Sequence, residues 1–190
     1  MSLHDFQTSL AKSHAVEDWP MWEVIYRRAF PDFAAMVNHR QDGWHQRQGI
    51  DRSITLSNSK QILIDEKARG RNAITGKVYE DVALEYWSDE QRRVPGWVCK
   101  SLLADYIAYA IVPLGKCYLL PVIQLQAAWL QHSQAWKDAY PIIRAKNTRW
   151  VTVSVGVPVR VLFAAIGDCL RVKFNPQEMD IVLGCGEAHK

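Results

Sequence analysis

Along the chain the spacing of apolar positions changes period several times, and each change predicts an element. Between Asp18 and Phe30, Trp19, Trp22, Tyr26 and Ala29 recur at helical intervals that Phe33 continues, which predicts an amphipathic helix. Asp18 suits its N-cap, Pro20 its first turn, and Pro31 limits it. The period then drops to two. Arg52-Ser-Ile-Thr-Leu56 alternates, Ser57-Asn-Ser-Lys60 is turn chemistry, and Gln61 to Lys67 is an apolar β-rich run ending in charge. Together they predict a hairpin. Asp81 to Trp87 predicts a further strand. After the break at Pro95-Gly96, Trp97 to Ile111 predicts a second helix that stops near Pro113. Cys117 to Ile123 predicts a short buried strand and Gln124 to Lys137 a third helix. The β-branched runs Arg149–Val155 and Val157–Phe163 predict strands, and Cys169 to Phe174 one more. This order predicts an α+β (mixed α/β) fold, with a central, mostly antiparallel sheet flanked by helices.

The chain has 190 residues, which fits one domain. A chain of that size buries about 70% of its unfolded surface, so its core needs neither disulfide nor structural zinc. Cys99, Cys117, Cys169 and Cys185 form no CxxC pair, and no histidine stands near them at zinc-ligand spacing. They read as reduced, mostly buried cysteines of a cytoplasmic protein. The first residues contain no apolar core of a secretory signal. The most apolar stretch, Leu102 to Leu125, is broken by Asp105, Pro113, Lys116 and Pro121, so no membrane span is expected. A formal charge of +3 permits a nucleic-acid partner without demanding one. No P-loop, dinucleotide-binding glycine motif, serine-hydrolase elbow or HExxH motif occurs, which leaves those enzyme classes without support.

One segment carries chemistry. Gly49-Ile-Asp51 is followed, after thirteen intervening residues, by Asp65-Glu66-Lys67. Strand alternation puts Asp65 and Lys67 on one side, and Asp51, at the start of the paired strand, can lie beside Asp65 across the hairpin. Two carboxylates that close repel, raising one pKa unless a divalent cation neutralises them. Hard oxygen donors suit Mg²⁺ or Mn²⁺, which keep several waters and engage phosphate. A lysine beside the pair can orient a water or stabilise charge developing on a phosphate. These are the requirements of phosphodiester hydrolysis, with Asp51, Asp65 and Lys67 as the catalytic set.

Asp51…Asp65-Glu66-Lys67 resembles the motif of the PD-(D/E)xK nuclease superfamily, with Ile50 where that motif has proline. The resemblance covers roughly residues 18–138 and implies a restriction-endonuclease-like core, leaving 141–190 as a C-terminal β-rich extension of the single domain. It implies a metal-dependent nuclease acting on DNA more than RNA, with Asp51, Asp65, the backbone carbonyl of Glu66 and, from the first helix, Glu23 around the metal. Glu66 itself points to the opposite face from Asp65, toward solvent or an arginine. The stretch from Pro95 to Tyr109 also resembles uncharacterised proteins of phages and other mobile elements.

Each residue also has a plainer reading. Asp65 to Lys67 can be a solvated strand end with Lys67 paired to Asp51, and Glu23 an i,i+4 partner of Arg27. Arg69 and Arg71 would stand at the mouth of the site and hold phosphate, or form an ordinary basic loop. Glu85 interrupts an apolar strand, and His45 stands close enough to Asp51 in sequence to assist a water. Trp129 and Trp136 read as core. The alternative to a nuclease is a catalytically inactive nuclease-fold module for binding or protein interaction, for which eight tryptophans could furnish a partner surface. The apolar β-rich tail is the segment that could pair across a homodimer.

Overall fold

The computed structural model describes residues 21–72, 75–167 and 169–175. Helix α1 (Met21–Ala29) opens this region and buries Met21, Trp22, Ile25 and Tyr26, the face that the aromatic spacing marks. Asp18 and Pro20, the expected cap and first-turn residues, lie outside the described residues. Strand β1 (Phe33–Asn38) and a single turn of helix, α2 (Gly43–Arg47), follow. Then come β2 (Arg52–Leu56) and β3 (Gln61–Arg69), the predicted hairpin, whose register sets Arg52 opposite Ile64 and Thr55 opposite Gln61. Next are β4 (Asp81–Asp89), the two-residue β5 (Val94–Pro95), β6 (Tyr106–Ile111) and β7 (Lys116–Pro121). The chain continues through α3 (Val122–Ala139), β8 (Ile142–Lys146), β9 (Val151–Pro158), α4 (Val159–Ile166) and β10 (Leu170–Lys173).

The strands form two sheets. The first has the order β1-β2-β3-β6-β7-β10, with only the β3–β6 pair parallel. The second is antiparallel, in the order β5-β4-β9-β8. The fold is therefore mixed α and β, as expected, but with two sheets in place of one. Helix α1 covers one face of the first sheet, packing Trp22, Ile25 and Tyr26 on Ile54, Ile64, Ala108 and Leu119. The other face meets the second sheet and α3 and α4, where Ile107, Tyr109 and Leu120 join Leu84, Val155, Trp129 and Leu162.

Two expectations are corrected. Trp97 to Ile111 is not a helix: Trp97 to Cys99 lie in a turn and Tyr106–Ile111 is strand β6. Its residues are buried on both faces, so the strand shows no alternation and its apolar run imitates a helix. Val157 to Phe163 is not a strand throughout. Pro158 ends β9 and starts α4, because Pro fits a helix start but not a sheet interior. In the C-terminal segment β9 lies inside the second sheet and β10 closes one edge of the first. Within that segment β8 and β10 are edge strands, each with one side not paired in its sheet. Cys185 lies outside these residues; Cys99, Cys117 and Cys169 are free thiols.

Candidate functional site

Gly49 sets the entry to β2. Its φ of +69° turns the chain out of α2, and a Cβ there would meet Leu102 at 2.6 Å, so only glycine fits without displacement. Asp51 follows at once. Its N–H donates to Ile64 O, the residue that Arg52 already faces, which brings Asp51 to the end of the β2–β3 ladder beside Asp65. Both side chains then share the face of the sheet turned toward the second sheet, as does Lys67 two residues on.

The two carboxylates are within hydrogen-bonding reach of each other. Asp51 Oδ2 accepts from the Glu66 N–H at 2.7 Å, and its Oδ1 accepts from Gln46 Nε2 at 3.0 Å. Lys67 Nζ is bonded to Asp65 Oδ1 and lies 3.4 Å from the Glu66 carbonyl oxygen. Asp65 is 4% exposed. Burial and the neighbouring Asp51 charge outweigh Lys67 and push its carboxyl up to about 6. Burial acts on Asp51 in the same sense, but Lys67, the Glu66 N–H, Asp65 and Gln46 together hold it below the usual range. Burial also works against the Lys67 charge, yet Asp65, Asp51 and Glu85 hold the ammonium above its ordinary value. The Lys67 side chain keeps 30% of its area exposed, so the pair opens to solvent through the lysine.

Glu66 points the other way, as alternation requires. Its Oε1 accepts from Arg52 Nε at 2.6 Å and from the Tyr26 hydroxyl at 2.6 Å, under α1. Burial pushes its carboxyl up to about 7 despite these donors. Only its carbonyl oxygen is available on the Asp65 side. Glu23 is not brought to the cluster. It sits on the outer face of α1, paired with Arg27 Nη2 at 2.7 Å, with the sheet between it and Asp65. Arg69 is held by Asp81 at 2.7 Å and Arg71 is exposed.

Glu85 on β4 arrives from the opposite sheet. Its charge is felt by Lys67, its carboxylate accepts from the Trp97 N–H, and burial raises its pKa. It is therefore a third acidic group beside the pair, signalled in the sequence by its place in an apolar strand. A second cluster escaped sequence reasoning: His39, Asp42 and His45, whose donor atoms lie within 4.8 Å of one another. The His39 N–H donates to Asp51 O at 2.8 Å, so the cluster adjoins the first. A cavity of about 580 Å³ opens elsewhere, beside Lys116, Tyr118, Arg160, Phe163 and Arg171, and none of the predicted site residues lines it.

No family model, curated protein or solved structure matches the chain. Among the described residues no helix is long and apolar enough to cross a membrane.

Proposed function

We propose that the chain is a metal-dependent phosphodiesterase acting on nucleic acid, DNA before RNA, through a PD-(D/E)xK-like site. One observation carries the reading: Asp51 and Asp65 meet on one face of paired strands with Lys67 bound to Asp65. The surroundings support it. Helix α1 is followed by the antiparallel strands β1, β2 and β3, with β6 parallel to β3, an arrangement that suits the core such a site is built on. The chain departs from that pattern between β3 and β6, where β4 and β5 replace the expected helix.

The donor set fits Mg²⁺ or Mn²⁺. Two carboxylates in contact and an adjacent carbonyl are hard oxygen ligands, and the raised Asp65 pKa marks a charge that its surroundings leave undercompensated. Asp51, Asp65 and the Glu66 carbonyl would hold the ion, which supplies Lewis-acid polarisation of a phosphate and an acidified water. Gln46 and the Glu66 N–H fix Asp51 against rotation. Lys67, charged and partly open to solvent, orients the attacking water and stabilises charge gathering on the phosphate. Protons compete with the ion for the Asp65 carboxylate, so cleavage falls as the pH is lowered.

The experiment is a cleavage assay on single-stranded, duplex and branched DNA with Mg²⁺, Mn²⁺ or EDTA, comparing wild type with Asp65→Asn, Lys67→Met and Glu23→Gln. Metal-dependent cutting that both site variants lose and Glu23→Gln retains is the expected result. Cutting by Asp65→Asn at the wild-type rate would refute the assignment. The second reading, a nuclease-fold binding module, is favoured by two facts: Gln46, the Glu66 N–H and Lys67 already satisfy both carboxylates, and the 580 Å³ cavity lies elsewhere. DNA bound without cutting under all metal conditions would support it.

A further inference from the structure

His39, Asp42 and His45 are brought together by backbone geometry. His39 follows the last residue of β1, and its N–H is fixed on Asp51 O at 2.8 Å. Asp42 is the N-cap of α2, its Oδ1 accepting from the N–H groups of Trp44 and His45 at 2.9 and 3.3 Å. That use leaves Oδ2, which lies 2.8 Å from His45 Nδ1. His45 Nδ1 is shielded from solvent and has no hydrogen-bond partner apart from this carboxylate. A nitrogen and a carboxylate oxygen lying edge to edge at that distance have the spacing of two neighbouring ligands, each about 2.0–2.1 Å from one ion. A ring nitrogen of His39 lies within 4.8 Å of both atoms, and in the present orientation Ser53 Oγ lies 2.8 Å from His39 Nε2.

We propose that His39, Asp42 and His45 form a binding site for a divalent transition-metal ion of the zinc class, separate from the Asp51–Asp65 pair. Two imidazoles and one carboxylate select Zn²⁺, Co²⁺ or Ni²⁺ over Mg²⁺, the opposite preference from an all-oxygen set. Three protein ligands leave a further coordination position to water. The His39 and His45 rings now stack at 3.8 Å and within 10° of parallel. Parallel rings cannot aim both lone pairs at one point, so the His39 ring turns out of the stack when the ion enters. The ion thereby fastens α2 to the end of β1. Because α2 carries Gln46, whose Nε2 holds Asp51 Oδ1, loading braces one carboxylate of the neighbouring pair. The site itself does not depend on the phosphodiesterase reading.

The test is a Co²⁺ titration of the full chain, followed by the visible absorption of the bound ion and reversed with Zn²⁺. The variants are Asp42→Asn, His45→Gln and Asp65→Asn. Asparagine caps a helix as well as aspartate does, so Asp42→Asn removes a charged ligand without uncapping α2. Wild type and Asp65→Asn are expected to show the same band of histidine-bound Co²⁺ with the same affinity, whatever further Co²⁺ the carboxylate pair takes up. Asp42→Asn and His45→Gln should each weaken binding at least 10- to 100-fold, roughly the loss that even an outer partner of a metal site brings. Absence of a Co²⁺ band in wild type overturns the proposal, as does unchanged affinity in both cluster variants. A band lost in Asp65→Asn but kept in the other two places the ion at the carboxylate pair and also overturns it.

Discussion

Replacing Asp65 by asparagine is expected to change how folding depends on pH, by an amount that follows from its burial. The carboxyl is 4% exposed, and burial with the neighbouring Asp51 charge raises it from its ordinary 3.8 to about 6. The native chain therefore keeps a proton that the unfolded chain releases. That stabilisation is complete below the unfolded pKa and is lost as the pH rises through the folded one. Roughly two units, at about 1.4 kcal/mol each, amount to about 3 kcal/mol. Asparagine keeps the shape and does not titrate. The stability difference between Asp65→Asn and wild type should accordingly move in favour of the variant by about 3 kcal/mol between about pH 4 and pH 7.5. Glu66 titrates in both proteins, so its contribution cancels in the difference. Urea unfolding followed by tryptophan fluorescence, repeated across that range, supplies the measurement. A difference that does not change with pH would refute the reasoning, because Asp65 would then ionise like a solvated carboxylate.

Two further outcomes follow from the packing. Arg52 and Glu66 are an ion pair with side chains only 6% and 3% exposed, so Arg52→Met leaves a buried carboxylate with the Tyr26 hydroxyl but no cation and should cost about 3–5 kcal/mol by urea unfolding at pH 8. At pH 5 the loss should shrink, because the Glu66 carboxyl, already pushed up to about 7, takes a proton. Gly96→Ala would set a Cβ 2.2 Å from the Glu85 carbonyl oxygen, so the turn that follows β5 must move away from β4. A cost of about 1–3 kcal/mol, read as a fall in Tm of several degrees, is expected.

The hairpin that carries the carboxylates was legible because its physics is local. Alternation in Arg52–Leu56 and turn residues at Ser57–Lys60 set both the pairing and the faces, including the turn of Glu66 to the face opposite Asp65, while its burial against Arg52 and Tyr26 depended on the packing of α1. What was not legible depends on distant partners. β1 has the composition Phe-Ala-Ala-Met-Val-Asn, half of it good helix formers, and is a strand because β2 pairs with it. Val157, Val159 and Val161 alternate like a strand, but Pro158 and the packing of Leu162 and Ile166 make a helix of the second half. Glu23 stood at a suitable place in sequence, yet α1 offers its buried face to the sheet and turns Glu23 outward. The His39–Asp42–His45 group had one signal, a three-residue spacing around an N-cap aspartate, which gains meaning only when α2 folds back onto the end of β1.

The pairing of β4 with β9 has a consequence for how the chain is made. Asp81 lies opposite Pro158, whereas Asp51 and Asp65 meet across a short hairpin. During synthesis the hairpin can close as soon as it emerges, but β4 has only the two-residue β5 as neighbour until the C-terminal strands arrive. Through that interval Val82 and Leu84, fully buried in the finished protein, and one whole edge of β4 stand open to other chains. The carboxylate pair is thus the early part of the molecule, and the sheet that brings Glu85 to it is the late and aggregation-exposed part.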